Sequence, residues 1–410
     1  MQSSFSDTQL YSIRLIMMLN NKKSELNQGL NQEPIQSHID SIKPTVMKTP
    51  ENETGAHSKL TLVIDGNWLL MSRLIVIKDN FMDTTDLIRN LKRLLIKSIN
   101  GILRQIPEID NIIFVSDGGS WRNKLHIPSV LTEHGIEYKG QRTKDDLDWT
   151  AIFNEFENLI HDMHDLCGIT YVHEPGVEGD DWCWYWSNIL NNDGTNVLIW
   201  SADKDLTQLV RQHPETGVFT VTLYTRGSKT TITKEKLDED NSPYMKCLLS
   251  PYFTQNQQLM NSIVTHATDV IEVIPKHIVL NKILRGDVSD NIISPLMRIT
   301  QSGKKYRISE KQLDYTINIY NEEEIREYVS RIYETKLFKG KANEPLDVAI
   351  EHILYNRKLV ALDERSYPAE ILESMKQKTE YNRTCDLSLV EQQQKARFDG
   401  MESMLNEMFG

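Results

Sequence analysis

Two periods of apolar residues alternate between residues 60 and 225. Short β-branched runs read as strands: Leu60–Ile64, Asn111–Ser116, Ile169–His173, Asn196–Ser201 and Val218–Tyr224. Longer stretches with apolar residues three and four apart read as helices. Leu87–Leu103 places Leu87, Leu91, Leu94, Leu95 and Ile99 on one face, and Asp148–Leu166 does the same with Ile152, Phe156, Leu159 and Met163. Further helices are predicted over Trp182–Leu190 and from about Leu206. Strands alternating with helices predict an α/β fold, with a mainly parallel sheet and helices on both faces.

The acidic residues fall at regular places in this pattern. Asp65 follows the first strand, Asp117 the second, Glu178 and Asp180 the third, and Asp203 and Asp205 the fourth. In open parallel sheets, ligands bind outside the carboxyl ends of the strands. Helix capping accounts for one such aspartate; four strands in a row delivering an acid to one edge call for another cause. Two carboxylates about 4 Å apart repel by roughly 4 kcal/mol even at an effective dielectric of 20, so such a cluster needs cations. All-oxygen ligands suit magnesium or manganese rather than zinc.

The character of the chain changes past Val273. Ile271–Leu284 is apolar-periodic and leads into Arg285-Gly286-Asp287-Val288-Ser289-Asp290-Asn291, with Lys282, Arg298, Lys304, Lys305 and Arg307 around it. From 311 onward the pattern is helical except over Asn356–Pro368. Residues 1–57 are rich in Asn, Gln, Ser and Glu with little periodicity, and read as a disordered N-terminal extension. The expected organisation is therefore that extension, a core over 58–270, a further element over 271–310 and a helical region over 311–410.

Composition narrows the picture in a few respects. Four cysteines lie far apart with no C-x-x-C pair, which argues against a zinc ribbon or disulfide scaffold and fits a reducing cytoplasm. No run of 18 apolar residues implies a membrane span, and no secretion signal is read at the N-terminus. The formal net charge of -12 counts weakly against a nucleic-acid partner, because metal-binding acids are neutralised by their ions and local basic patches still hold phosphates. His161 and His164 sit outside the apolar stripe of their helix and are not expected to bind metal.

Six motifs in order carry a resemblance. They are I-D-G-N at Ile64–Asn67, S-D-G-G-S-W-R at Ser116–Arg122, Y-K-G-Q-R at Tyr138–Arg142, E-G-D-D at Glu178–Asp181, S-A-D-K-D-L-T-Q-L at Ser201–Leu209 and K-I-L-R-G-D-V-S-D-N at Lys282–Asn291. Together they resemble the phage and bacterial 5′-nuclease (flap endonuclease) family. With N-R-K-L-V-A-L-D at Asn356–Asp363, they look most like its T-even phage ribonuclease H branch. The resemblance implies a core related to PIN domains, a helical arch and a helix–three-turn–helix over 271–310 that grips duplex DNA. The sequence departs from the family after Asn291, where a Gly-rich P-G-V-x-G-I-G hairpin with a bound monovalent cation is replaced by I-I-S-P-L-M-R.

The resemblance implies that Asp287 and Asp290 reach back to Asp65, Asp117, Glu178, Asp180, Asp181, Asp203 and Asp205. Two magnesium ions, with manganese as a substitute, would clamp a phosphodiester there. Asp65, Asp117, Glu178 and Asp180 are expected at the first, Asp205, Asp287 and Asp290 at the second, and Asp203 between. Asp181 is expected either to join them or to cap the Trp182 helix. Arg122 and Lys124 match basic residues that touch the scissile phosphate. Tyr138, Lys139, Arg142, Lys144, Lys282, Arg285, Arg298, Lys304 and Lys305 are expected along the nucleic acid, and Trp121 and Tyr138 either stack on a displaced base or sit in the core. The implied activity is hydrolysis at 5′ ends, flaps or RNA primers in lagging-strand replication, by a monomer. The implied partners are DNA with a 5′ flap or an RNA–DNA primer duplex, together with a single-strand binding protein. The last residues, Ser403–Gly410, resemble tails that dock on sliding clamps, with Leu405, Met408 and Phe409 as anchors; they fit an amphipathic helix packed on its own domain equally well. Two other readings stay open: a PIN-like ribonuclease acting on single-stranded RNA, and a non-catalytic binder of branched DNA.

Overall fold

The computed structural model describes residues 59–132, 138–140, 147–225, 245–250, 259, 263–264, 267, 269–384, 401 and 403–404. Arg142, Lys144 and the anchors Leu405, Met408 and Phe409 lie outside them, as does the N-terminal extension. His57–Gly410 forms one compact unit.

The central sheet has eight strands among the described residues, in the order β3-β2-β1-β4-β6-β7-β8 with β5 on β6. These strands are β1 (Leu60–Asp65), β2 (Asn111–Val115), β3 (Thr170–Val172), β4 (Asn196–Trp200), β5 (Arg211–Gln212), β6 (Phe219–Thr225), β7 (Met245–Leu249) and β8 (Asp269–Glu272). β1 lies parallel between β2 and β4, and β3 and β6 extend the parallel run on either side. β5 and β7 pair antiparallel with β6, and β8 lies parallel to β7. All of β1 and β4 is buried, which suits strands covered on both faces. In register, Asp65 pairs with Val115 and Ile64 with Trp200, so the ends of β1, β2 and β4 lie level.

On one face pack α1 (Gly66–Ile77), α2 (Thr84–Gln105) and α3 (Trp149–Cys167), through Leu69, Leu91, Ile99, Phe156 and Met163. Met401 and Met404 are buried in this same core, as the packed reading of the chain end requires. On the other face, α4 (Gly179–Asn192) buries Trp182, Cys183 and Trp186. A third core gathers α5 (Pro275–Arg285), α6 (Glu322–Tyr333) and α7 (Leu346–Val360), and α8 (Ala369–Thr384) packs Met375 onto the α4 side. Among the described residues, no helix is long and apolar enough to cross a membrane.

Four expectations change. α1 was not foreseen, because G-N-W-L-L-M-S-R-L-I-V-I is apolar nearly all round and shows no stripe. The helix expected from Leu206 is only a 3-10 turn, Asp205–Leu209. Within 271–310 the second helix is replaced by an antiparallel hairpin of β9 (Met297–Ile299) and β10 (Lys305–Arg307). Its turn closes with Gly303 N–H donating to Thr300 O at 2.8 Å, Gly303 taking a φ of 78° that a side chain disfavours. At the far end, Asn356–Val360 is helical, and the stretch from Ala361 to Pro368 is irregular apart from a 3-10 turn at Glu364–Ser366. Asn356 is tolerated on a buried helix face because its amide donates to Ile283 O and Ile293 O, at 3.0 and 2.8 Å.

Candidate active site

The carboxyl ends of β1, β2 and β4 and the N-terminus of α4 meet at one edge of the sheet. Asp65 caps α1, accepting from Trp68 N–H at 3.0 Å, and takes a second hydrogen bond from the buried Ser201 hydroxyl at 2.7 Å. Asp117 accepts from Gly179 N–H at 2.6 Å and from the Asn67 amide at 2.9 Å. Gly179 brings these two acids together. A Cβ there would stand 3.0 Å from Asp117 Oδ1, which would crowd that acid, and at an ordinary contact distance of 3.9 Å from Asp65 Oδ1. On the next strand, Asp203 Oδ1 accepts from Asp205 N–H at 2.8 Å. Asp205, Asp287 and Asp290 each offer a carboxylate oxygen within 4.8 Å of the others, a grouping able to share one cation.

The electrostatics fit a cation site. Burial pushes Asp65 up to about 7 against its two hydrogen bonds, with Asp117 and Asp203 adding to the rise. Burial raises Asp180 as well, reinforced by Asp203 and Asp65. Asp205 is pushed up to about 6 by burial, which outweighs the opposing Lys282. Asp117 has an exposed rim, yet the protein packed behind it raises its pKa and Glu178 adds to this. These carboxylates thus repel one another across a single patch, and the patch runs from Asp117 to Asp290. The donors are oxygens, the set that magnesium and manganese favour.

Two lysines already neutralise part of the cluster. Lys139 donates to Glu178 Oε1 at 2.6 Å, while Lys282 pairs with Asp205 and Asp287. Burial works against Glu178 ionising, but Arg122 and Lys139 hold its pKa below the ordinary value. Lys139 N–H also donates to Asp290 O at 3.1 Å, which ties residues 138–140 to the turn after α5.

Two expected site residues have different places. Asp181 is fully buried on the core side of α4, not on the open face. It accepts from Glu178 N–H at 3.1 Å, Trp121 Nε1 at 3.1 Å and the Tyr367 hydroxyl at 2.8 Å, and pairs with Arg122 at 2.8 Å. It caps α4, and those partners leave it no face toward the cluster. Arg122 is 3% exposed, so it does not face an incoming phosphate as expected. Its guanidinium bridges Glu178 at 2.7 Å and Asp181, while Nε donates to Leu359 O at 3.1 Å. Trp121 is core as well, also 3% exposed.

The remaining basic positions separate by exposure. Lys124, Lys304 and Lys305 are exposed. Arg285 holds the hairpin base through Ile308 O at 3.1 Å and Glu310 at 2.7 Å. Arg298 and Lys304 lie over the Tyr306 ring, at 5.7 and 5.0 Å. Tyr138 is half-buried against the third core, which leaves little of its ring for a base. His164 turns its Nδ1 back to Ile169 O at 2.6 Å at the end of α3. Sequence reasoning passed over Asn67 and Ser201, which orient Asp117 and Asp65 from inside two of the quoted motifs.

Comparison with known proteins adds a match over part of the chain. A family model described as 5′–3′ exonuclease, N-terminal resolvase-like domain, matches residues 60–241. No curated protein sequence matches the chain. Among solved structures it is similar to the D15 protein of phage T5 co-crystallised with metal ions, at 15% identity and a TM-score of 0.46, over 79% of this chain and 100% of that one. A second is the T5 D15 flap endonuclease in a pseudo-enzyme–product complex with DNA and metal ions, at 16% identity and a TM-score of 0.45, with the same shares covered. The family match thus covers residues 60–241, the stretch that carries β1 to β6 and the acids from Asp65 to Asp205.

Proposed function

We propose that this chain is a divalent-metal-dependent 5′-nuclease that hydrolyses phosphodiesters at 5′ ends, flaps or RNA primers. The observation that supports this best is the continuous acidic patch at the carboxyl edge of the parallel sheet, extended by the turn after α5. Asp65, Asp117, Glu178 and Asp180 would hold one ion and Asp205, Asp287 and Asp290 the other, with Asp203 between; magnesium is the natural occupant and manganese a substitute. Such ions supply an activated water and charge neutralisation at the leaving oxygen.

The chain's own residues do the rest. Ser201 and Asn67 aim the carboxylates of Asp65 and Asp117. Arg122 holds Glu178 from behind, fixing its orientation. Lys139 and Lys282 are the cations nearest the patch, and a phosphate entering it gives them a second anion to pair with. The exposed Lys304 and Lys305 and the partly exposed Arg298 offer phosphate contacts along a duplex arm. DNA with a 5′ flap and an RNA–DNA primer duplex are the proposed substrates, with primer removal during replication as the proposed setting. A sliding clamp at Ser403–Gly410 and a single-strand binding protein are the proposed partners of a monomer.

The test is cleavage of a 5′-labelled flap, an RNA–DNA primer duplex and single-stranded RNA, with magnesium or with EDTA. Cleavage of the first two with magnesium alone is expected, and Asp203→Asn is expected to abolish it while forked DNA is still bound. Binding of forked DNA without any cleavage, under magnesium or manganese, would make the chain a branched-DNA binder. Cleavage confined to single-stranded RNA would make it a PIN-like ribonuclease.

A further inference from the structure

The segment Asn356–Tyr367 lies far along the chain from every acid of the site, yet it makes hydrogen bonds to all sides of it. Asn356 donates to Ile283 O and Ile293 O, on either side of the turn that carries Asp287 and Asp290. Arg122, which holds Glu178, donates through Nε to Leu359 O. Gln208, three residues after Asp205, donates to Val360 O at 3.1 Å and accepts from Leu362 N–H at 2.9 Å. Tyr367 donates to Asp181 at 2.8 Å, and its ring stacks on Trp184 with centroids 4.6 Å apart.

The local physics explains why this segment serves as an anchor. Leu359 and Val360 are the last two residues of α7, so no amide within the helix reaches their carbonyls. Arg122 and Gln208 supply the missing donors, and the positive guanidinium meets the negative end of the helix dipole. Burial of Leu359, Val360, Ala361 and Leu362 then keeps water from competing for those bonds. Helix α7 and the chain leaving it therefore join three parts that local sequence does not: the α4 start with Glu178, the turn with Asp205, and the turn with Asp287.

We propose that Asn356–Tyr367 is a brace that sets the spacing between the two halves of the acidic patch, with Gln208 and Tyr367 as positioning residues for divalent-ion binding. The inference rests on the reading of that patch as a metal site, and its claim is the source of the spacing. Outer partners that orient metal ligands typically change metal affinity about 10- to 100-fold when removed.

The test uses the full chain with Gln208→Met, which keeps length but loses both bonds, and Tyr367→Phe, which keeps the stacked ring but loses the bond to Asp181. Manganese binding is measured by electron paramagnetic resonance without DNA, alongside single-turnover cleavage of a flap, forked-DNA affinity in EDTA, and the melting temperature. Expected for both variants is manganese affinity weakened by about tenfold, with cleavage recovering at high metal and metal-free DNA affinity unchanged. Manganese affinity equal to wild type in both variants overturns the brace, whether or not melting temperature falls, because plain packing would then explain the contacts. Wild type that binds no manganese overturns the proposed function itself, which is a different result from intact binding in the variants. Should Gln208→Met fail to fold, Tyr367→Phe decides alone.

Discussion

Arg122 is a charged group almost wholly inside the protein. Burial alone would lower its pKa, but Asp181 and Glu178 outweigh that and raise it. Breaking a buried ion pair from one side costs about 3–5 kcal/mol, because the partner charge is left uncompensated. Arg122→Ala should therefore unfold at markedly lower temperature in calorimetry, with two carboxylates stranded. Arg122→Lys keeps the charge but not the fork that reaches Glu178, Asp181 and Leu359 O together, so it should not restore wild-type melting. A surface phosphate contact would give the opposite pattern, with wild-type melting and weaker DNA binding. At Gly179 the argument is steric. Gly179→Ala puts a methyl 3.0 Å from Asp117 Oδ1, so cleavage should drop at saturating DNA while affinity for forked DNA in EDTA holds. Activity equal to wild type would show that Asp117 has room to move.

At the scale of elements, the hairpin β9–β10 carries the clearest charge asymmetry. Lys304, Lys305 and Arg307 are exposed on it, while the acids of the site lie elsewhere. Each phosphate contact contributes a slope of about 0.9 in log affinity against log salt. Replacing Lys304 and Lys305 with alanine should lower the slope for duplex binding by up to about 2, with little change in cleavage rate at saturation. An unchanged slope would take the hairpin off the DNA path. Most elements that position the acids were legible in the sequence, because β-branched runs ending in Asp give a local signal: Asp65, Asp117, Asp203 and Asp205 all stand where that signal placed them. The hairpin was not, since M-R-I and K-Y-R are too short to show a period. Arg122 was misread, and Asp181 was left open between metal ligand and helix cap, for a different reason. A charged residue in a motif has the same letter whether it faces solvent or core, and what turned these two inward is Tyr367 and Leu359, 186 and 237 residues away. Distant partners also hid Gln208 and Asn356, which lie 152 and 73 residues from Val360 and Ile283, whose carbonyls they bond.

At the scale of the whole molecule, the acidic patch ties stability to pH and to metal. Asp65 at about 7 and Asp205 at about 6 bind their protons more tightly folded than unfolded, where the ordinary value is 3.8. Their contribution is fully present below about pH 4 and is lost as pH rises through 6 and 7. Glu178 and Asp287 are shifted the other way, and their contribution is lost only as pH falls below the ordinary carboxylate range. Asp117 and Asp180 are raised as well, so between pH 5 and 8 these raised acids together set the slope. In EDTA the melting temperature should fall steadily from pH 5.5 to 8. Ions bound to the ionised acids reverse the cost, since a ligand at 100 times its dissociation constant stabilises by about 2.7 kcal/mol. Millimolar magnesium or manganese should thus raise the melting temperature by several degrees at pH 8, and far less at pH 5.5, where protons compete for the same oxygens. Calorimetry over this grid checks both signs at once. A metal-free protein whose melting temperature rises toward pH 8, or one that magnesium and manganese leave unmoved there, would mean that the acids of the sheet edge are balanced by the protein's own lysines and need no ion.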